Sequence, residues 1–145
     1  MLYCWSIGKD RGEKMKIAYL KTKSAVILWD VEAMRRDIDE LRMSAEIRRM
    51  LVVNLMDLYH GKNLDVDNAD ISYFPIVAAL SKDKYCVLEG AAQIEKARLL
   101  HFVELECFFI KPAQQKKYIL DYDEETYLRA VKEYWADEDF DDEDE

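Results

Sequence analysis

The segment from Phe74 to Ile110 constrains the fold more than any other part of the chain. It begins with an apolar run at Ile76 to Leu80, passes a short charged turn at Lys82 to Lys84, and returns to apolar residues at Tyr85 to Leu88. Two apolar runs that are separated by a short polar turn predict a β-hairpin.

A helix and a further strand follow the hairpin directly. Gly90 to Leu100 contains good helix formers, and its apolar face includes Ala91, Ile94 and Ala97. Val103 to Ile110 is rich in the residues that strands favour. The order of strand, turn, strand, helix and strand predicts an α+β domain with a small mixed sheet and flanking helices.

The segments before the hairpin predict two strands and then helices. Met15 opens an alternating segment that is typical of a strand, and Ala25 to Trp29 predicts a short buried one. Apolar residues recur at three- and four-residue steps from Val31 to Tyr59, which predicts two helices broken near Met43. A single long helix is the alternative. The apolar positions of this stretch include Met34, Ile38, Leu41, Ala45, Ile47, Met50, Leu51, Leu55 and Leu58.

A last helix is predicted after Pro112. Asp121 and Glu124 have the spacing of a capping box at its start. An amphipathic stripe follows at Tyr127, Leu128, Val131, Tyr134 and Trp135. We expect this stripe to dock on the domain itself, with a protein interface as the alternative.

Charge divides the chain into a near-neutral body and an acidic tail. The net charge is −9, and Asp137 to Glu145 contributes eight acidic side chains and no basic one. Because such a run repels itself, we predict a disordered tail at 137–145 and one α+β domain over 15–136. Residues 1–14 end in a polar run, so we interpret them as an N-terminal extension, with Met15 as the hypothetical true start.

The cysteine pattern and the lengths of the apolar runs bear on the compartment. Cys4, Cys86 and Cys107 are odd in number and form no C-x-x-C pair. The apolar runs are far shorter than the roughly 20 residues that a membrane span needs. We therefore expect a cytoplasmic protein without a membrane partner.

The residues from Phe74 to Ile110, FPIVAALSKDKYCVLEGAAQIEKARLLHFVELECFFI, resemble the core of ParB-like domains. In that family a Pro-Ile-Val strand, a hairpin, a strand ending in Gly, a short helix and a closing strand follow one another. The family places a Gly-x-His-Arg or Gly-x-Arg-Arg signature at the glycine. This sequence keeps the glycine and the helix and lacks the His and Arg, because the residues here are Gly90, Ala91, Ala92 and Gln93.

The resemblance implies a phosphate-binding role for Gly90 to Gln93 in a degenerate form. A helix N-terminus presents unpaired N–H groups to a phosphate, and Arg would add a charged clamp. Gln93 can donate a hydrogen bond but cannot neutralise charge. In the related sulfiredoxins the catalytic cysteine follows the glycine, and Ala91 stands there, so that activity is not expected.

Glu89 is the one candidate general base that the resemblance suggests. Some ParB-like proteins use an acidic residue beside the phosphate loop, and Glu89 directly precedes Gly90. A solvent-facing glutamate at the end of a strand is the alternative and the favoured interpretation.

Two other groups of polar residues could bind ligands, but their sequence patterns favour structural roles. An acidic loop resembles a calcium-binding loop but lacks its sixth-position Gly and twelfth-position Glu; its residues are Asp65, Asp67, Asn68 and Asp70. His60 and His101 follow helices, and neither has a second metal ligand at the usual spacing. We predict no metal site.

A small basic and aromatic cluster follows the last strand. Its members are Lys111, Lys116, Lys117 and Tyr118. Such a cluster could contact a phosphate backbone, but three lysines give a weak electrostatic footprint, so a solvated surface is favoured.

These patterns predict a non-catalytic ParB-like protein that binds a ligand or interacts with a protein partner. The alternative is a protein that binds or hydrolyses nucleotides with the helix N-terminus after Gly90. A second alternative is a DNA-associated protein of the partition type, which is disfavoured because no helix-turn-helix follows the ParB-like core. The sequence identifies neither a cofactor nor the ligand.

Overall fold

A computed structural model describes residues 3–8, 16–58, 64–81 and 84–143. The strands are β1 Tyr3–Gly8, β2 Lys16–Lys21, β3 Val26–Asp30, β4 Glu46–Leu51, β5 Ile76–Ala79, β6 Tyr85–Glu89 and β7 Glu104–Ile110. The helices are α1 Val31–Asp39, α2 Val52–Met56, α3 Ala91–Leu99, α4 Pro112–Gln115 and α5 Glu124–Glu143, and a turn of 3-10 helix spans Lys116–Tyr118.

The strands form two sheets. In the first, β1, β2 and β3 pair in that order as an antiparallel meander. The second has the order β4-β7-β5-β6, in which β5 and β6 form the predicted antiparallel hairpin and β7 lies parallel to β5. Helix α3 makes the crossover from β6 to β7. The predicted α+β fold with a small mixed sheet and flanking helices is confirmed.

The inner strand β5 of the four-stranded sheet is buried on both of its faces. Along β5, Ile76 and Ala78 belong to one apolar cluster, which also contains Trp29 of β3. The alternate residue Val77 belongs to a second cluster with Ile94 of α3. Since successive side chains of a strand point to opposite faces, burial on both sides explains the uninterrupted apolar run of β5.

Residues 44–58 differ from the prediction of a second helix. Glu46–Leu51 is the strand β4, which lies at the edge of its sheet and pairs antiparallel with β7. Only Val52–Met56 is helical. Leu41, which we predicted on an apolar helix face, lies beyond the end of α1 with φ 61° and is exposed. Local periodicity could not reveal β4, because its partner strand is remote in the sequence.

The helix starts agree only in part with the predicted caps. The side chain of Asp30 accepts a hydrogen bond from the N–H of Ala33 and caps α1 as predicted. At α5 the prediction is wrong by two residues, because Asp123 Oδ2 accepts the N–H of Thr126 at 2.9 Å. Asp121 instead adopts a left-handed turn with φ 51°.

Helix α5 docks on the domain through part of its predicted stripe. Tyr127 is buried, and its hydroxyl donates to the carbonyl of Leu80 at 3.4 Å. The hydroxyl of Tyr134 donates to the carbonyl of Tyr85 at 3.2 Å. Leu128 is exposed, so the stripe is narrower than the sequence predicted.

Regular elements occur in both segments that we predicted to lie outside the domain. Tyr3–Gly8, which we assigned to an N-terminal extension, pairs with β2. Helix α5 runs to Glu143 and so includes most of the segment for which we predicted disorder. Of the helices in the described ranges, none combines the length and apolar character needed to cross a membrane.

A carboxylate on α5 fastens this helix to the turn between β2 and β3. Glu133 Oε1 accepts hydrogen bonds from Thr22 Oγ1 at 2.6 Å and from the N–H of Ser24 at 2.9 Å. The hydroxyl of Ser24 donates to the other carboxylate oxygen. The hydrogen bonds from Ser24 and Thr22 lower the pKa of the Glu133 carboxyl group from 4.5 to about 2.

We predict that Glu133→Gln lowers the free energy of unfolding at neutral pH. The folded state favours the ionised carboxylate, so the contribution of Glu133 is fully present above its ordinary pKa and is lost as the pH falls through about 2. Urea titrations of the native chain and the variant should therefore differ most above pH 5 and converge towards pH 2. Glu125→Gln, at an exposed position of the same helix, is the control. A difference that does not change with pH would contradict this account.

Candidate functional site

Glu89, the predicted candidate base, is buried in an ion pair with Arg35. Glu89 is the last residue of β6 and is 7% exposed, and Arg35 of α1 is also 7% exposed. The Nε and Nη2 atoms of Arg35 donate to Glu89 Oε1 at 2.8 and 2.6 Å. Nη2 also donates to the carbonyl of Phe74 at 2.7 Å. The interpretation of Glu89 as a solvent-facing glutamate is therefore wrong.

The second oxygen of Glu89 binds another cation. Lys16, the first residue of β2, donates from Nζ to Glu89 Oε2 at 3.2 Å, and its side chain is 53% exposed. The carboxylate thus joins β2, α1 and β6. Each of its oxygens accepts a hydrogen bond from a cation, which stabilises the ionised carboxylate and makes it a weaker base.

Aromatic rings frame the guanidinium of Arg35. Its central carbon lies 4.0 Å from the centroid of the Tyr73 ring and 5.6 Å from that of Phe108. Phe74 packs against Phe108, with ring centroids 5.4 Å apart. Stacking on aromatic faces favours a cation and fixes its orientation. Burial is the main cause that raises the pKa of Tyr73, with a further contribution from Glu89, so its phenol stays neutral at physiological pH.

An open cleft of about 400 Å³ lies above this ion pair. Helix α1 supplies much of its wall through Glu32, Arg35, Arg36 and Asp39. These residues are three or four positions apart and therefore share one face of the helix. We call it the Glu89 cleft; it is lined by Lys16, Glu32, Arg35, Arg36, Asp39, Glu40, Tyr73 and Glu89. The lining thus contains four acidic and three basic side chains, and a cleft of this size can hold a small ligand or one side chain.

One carboxylate oxygen in the cleft has no partner in the described part of the chain. The Oε1 atom of Glu32, in the first turn of α1, is buried and accepts no hydrogen bond there. A buried acceptor without a donor is rare in folded proteins and costs free energy. Glu32 therefore differs from Glu89, whose oxygens are both bound to cations.

The predicted phosphate-binding residues begin α3 but do not line the Glu89 cleft. Gly90 has φ 109° and precedes the helix, and the N–H of Ile94 donates to its carbonyl at 3.0 Å. A Cβ atom built on Gly90 would lie 2.5 Å from Cβ of Pro75. The glycine is thus required by backbone geometry and by the close approach of Pro75, without any ligand. Ala91, Ala92 and Gln93 are half-buried.

The acidic loop uses its oxygens to hold its own turns. The side chain of Asp65 accepts hydrogen bonds from Asn68, and Ser72 donates its N–H and its hydroxyl to Asp70 at 3.0 and 2.7 Å. The hydrogen bonds from Ser72 lower the pKa of Asp70. Within the described ranges no group of His, Cys, Asp and Glu side chains is arranged to hold a metal ion. His101 is exposed, and His60 lies outside the described residues.

The predicted basic and aromatic cluster does not form one continuous open surface for binding phosphate, because some of its members contact Asp37. Tyr118 is buried and donates its hydroxyl to Asp37 Oδ2 at 2.6 Å. Lys117 lies 3.8 Å from the same oxygen. These contacts tie the segment after α4 to α1. Lys111 and Lys116 are exposed.

Sequence reasoning found Glu89 but missed the side chains that give it its environment. Arg35 lies on the buried face of α1 with Val31, Met34 and Ile38. An arginine in register with the apolar positions of a helix indicates a buried or paired charge, and this signal was available in the sequence. The contributions of Lys16 and Tyr73 depend on tertiary packing, and no local pattern indicates them.

Gly90→Ala should destabilise the fold by more than about 1 kcal/mol, because the backbone is strained for a residue with a side chain and Pro75 leaves no room. Chemical denaturation would measure the loss. Gly90→Asn separates the two causes, because Asn tolerates positive φ but also carries a Cβ. If the Pro75 contact dominates, both variants lose similar stability. A Gly90→Ala variant as stable as the native chain would contradict the described geometry.

A double-mutant cycle should reveal the coupling between Arg35 and Glu89. Arg35→Met leaves the buried carboxylate of Glu89 with Lys16 as its one remaining cation. This variant should have a free energy of unfolding about 3 kcal/mol lower than that of the native chain. Adding Glu89→Leu removes that charge, so the double variant should be more stable than Arg35→Met by itself. Urea unfolding of the native chain, both single variants and the double variant gives the coupling energy. Simple additivity of the two single effects would show that the pair is not coupled.

Comparison with known proteins assigns the chain to no family. No family model matches it, and neither a curated protein nor a solved structure does. Functional inference for this chain therefore depends on the order of its elements and on the contacts of its side chains.

Proposed function

We propose that this chain is a non-catalytic binding module built on a ParB-like scaffold, with the Glu89 cleft as its binding site. The observation that carries the proposal is the ion-pair network at the floor of this cleft. Glu89 is buried there between Arg35 and Lys16, which makes it a structural support for an open cavity rather than a base that is ready to take a proton.

The ParB-like part of the proposal has its support in the segment from Phe74 to Ile110. The hairpin of β5 and β6, the glycine at position 90, the helix α3 and the strand β7 have the order that the resemblance implies. Because one fold can serve many functions, this order supports a scaffold only. The binding role depends on the cleft.

The loss of the His-Arg signature supports binding without phosphoryl chemistry. Phosphoryl transfer needs cations that stabilise the negative charge of the transferred group. The residues at the start of α3 supply backbone N–H groups and one neutral amide, from Gln93. The nearby cations Arg35 and Lys16 bind Glu89 instead.

Two side-chain features support a reducing, cytoplasmic location within the same proposal. Cys86 and Cys107 are buried thiols. Burial raises the pKa of Cys107 to about 12, so this thiol is not a reactive nucleophile at neutral pH. A DNA-associated role of the partition type has weaker support, since Lys117 and Tyr118 contact Asp37.

We predict that nucleotides with or without magnesium leave the melting temperature of the purified chain unchanged and are not hydrolysed. A ligand at 100 times its Kd would stabilise the chain by about 2.7 kcal/mol, which shifts the melting temperature by several degrees. A thermal-shift screen combined with an assay for released phosphate provides the measurement. Hydrolysis would overturn the non-catalytic proposal.

A pair of matched variants tests the nucleotide alternative without disturbing Gly90. Ala92→Glu places a negative charge in the first turn of α3, which suits the helix dipole but repels a phosphate. Ala92→Gln is the neutral control of the same size. A nucleotide-induced shift that Ala92→Gln keeps and Ala92→Glu loses would establish binding at the start of α3 in place of the Glu89 cleft.

A further inference from the structure

We propose that the Glu89 cleft recognises a cationic group, a guanidinium or an alkylammonium, and that Glu32 is the acceptor that binds it. This inference rests on the proposed binding function and adds the chemical class of the ligand. The same group can come from a free small molecule or from an arginine or lysine side chain of a protein.

The buried oxygen of Glu32 provides the first argument. Its Oε1 atom is buried and accepts no hydrogen bond from the described residues, and Glu32 is one of the residues that line the open cleft. Glu32 lies in the first turn of α1, where the helix dipole favours a negative charge. A carboxyl group with one buried oxygen that lacks a donor is complementary to a ligand with N–H donors and positive charge.

The distribution of charge around the cleft provides the second argument. Two of its three basic side chains, Lys16 and Arg35, already bind Glu89. Among the other acidic residues, Glu40 pairs with Arg42 at 3.0 Å. The charged side chains that remain to act on a ligand are Glu32, Asp39 and Arg36. Apart from the ion pairs, the lining thus offers a ligand two carboxylates and one guanidinium, which favours a cation over an anion.

The ring of Tyr73 provides the third argument. Tyr73 lines the cleft and already stacks with the guanidinium of Arg35 at 4.0 Å from its centroid. An aromatic wall beside a carboxylate is a favourable environment for a planar cation, because the electron-rich ring face attracts positive charge. Tyr73 is also partly exposed, so a ligand in the cleft can reach it.

The test compares L-arginine with L-citrulline, in which a neutral ureido group of nearly the same shape replaces the charged guanidinium of the side chain. Nitrogen–proton correlation spectra of the full chain would locate the binding site, and titrations would give the Kd. We expect L-arginine to shift the signals of Glu32, Arg36 and Tyr73 and to bind at least about tenfold more tightly than L-citrulline. Equal binding of the two, or shifts confined to other parts of the chain, would overturn the inference.

Glu32→Gln tests the acceptor, and Glu125→Gln on α5 is the matched control outside the cleft. Removing the charge at position 32 should weaken binding of L-arginine about tenfold, whereas the control should bind like the native chain. Without ligand, Glu32→Gln should lower the melting temperature by no more than a few degrees, because the side chain loses its interaction with the helix dipole but no hydrogen bond at Oε1. A marked fall in its melting temperature would show that Glu32 has a structural partner and would overturn the inference.

A capped Ala-Arg-Ala peptide distinguishes the two sources of the cation. Tighter binding of the peptide than of L-arginine supports a protein side chain as the natural ligand, and tighter binding of L-arginine supports a free small molecule. Binding of a neutral or anionic ligand in the cleft instead would overturn cation recognition and leave the proposed binding function intact. Chemical conversion of a bound cation would overturn the non-catalytic proposal alone.

Discussion

The buried ion pair between Arg35 and Glu89 is the interaction on which the arrangement of this domain depends. It connects α1 to the end of β6, and Lys16 extends the connection to β2. These elements come from distant parts of the sequence and from both sheets, so the network sets how the small meander sits on the mixed sheet. Buried ion pairs add little net stability, but a mispositioned partner leaves a buried charge unpaired. We therefore expect the pair to act mainly by disfavouring other packings of α1 against β6.

The sequence predicted those parts of the fold that local patterns specify. The hairpin of β5 and β6, helix α3 and strand β7 form a contiguous segment, and their apolar residues and turn lie within a few positions of one another. Strand β4 was mistaken for a helix because EIRRML has a helix-compatible pattern and its pairing partner β7 begins more than 50 residues later. For the candidate site, Glu89 and Gly90 were found from a resemblance, whereas the cleft is built by α1. Only Arg35, on the apolar face of that helix, carried a readable signal.

Gly90 shows why a motif and its function can separate. Its position in the family signature suggests a phosphate contact, but φ 109° and the approach of Pro75 explain the glycine fully by backbone geometry. A glycine at this position is thus explained whether or not charged residues follow it. Glu32 illustrates the opposite situation, because its unpaired buried oxygen is a cost that the fold does not need. An oxygen that is left without a partner in the free protein is a better guide to binding than a residue that the fold requires.

The edge strand β4 has a consequence for how copies of this chain meet. An exposed strand edge offers its backbone groups to any other strand, and Ile47 and Leu51 add exposed apolar surface. If two copies paired antiparallel about the centre of β4, however, Arg48 of one copy would face Arg49 of the other. This opposition of like charges disfavours symmetric edge-to-edge pairing. In this register the charges of the two arginines would therefore oppose the attraction between the exposed apolar side chains of two β4 edges.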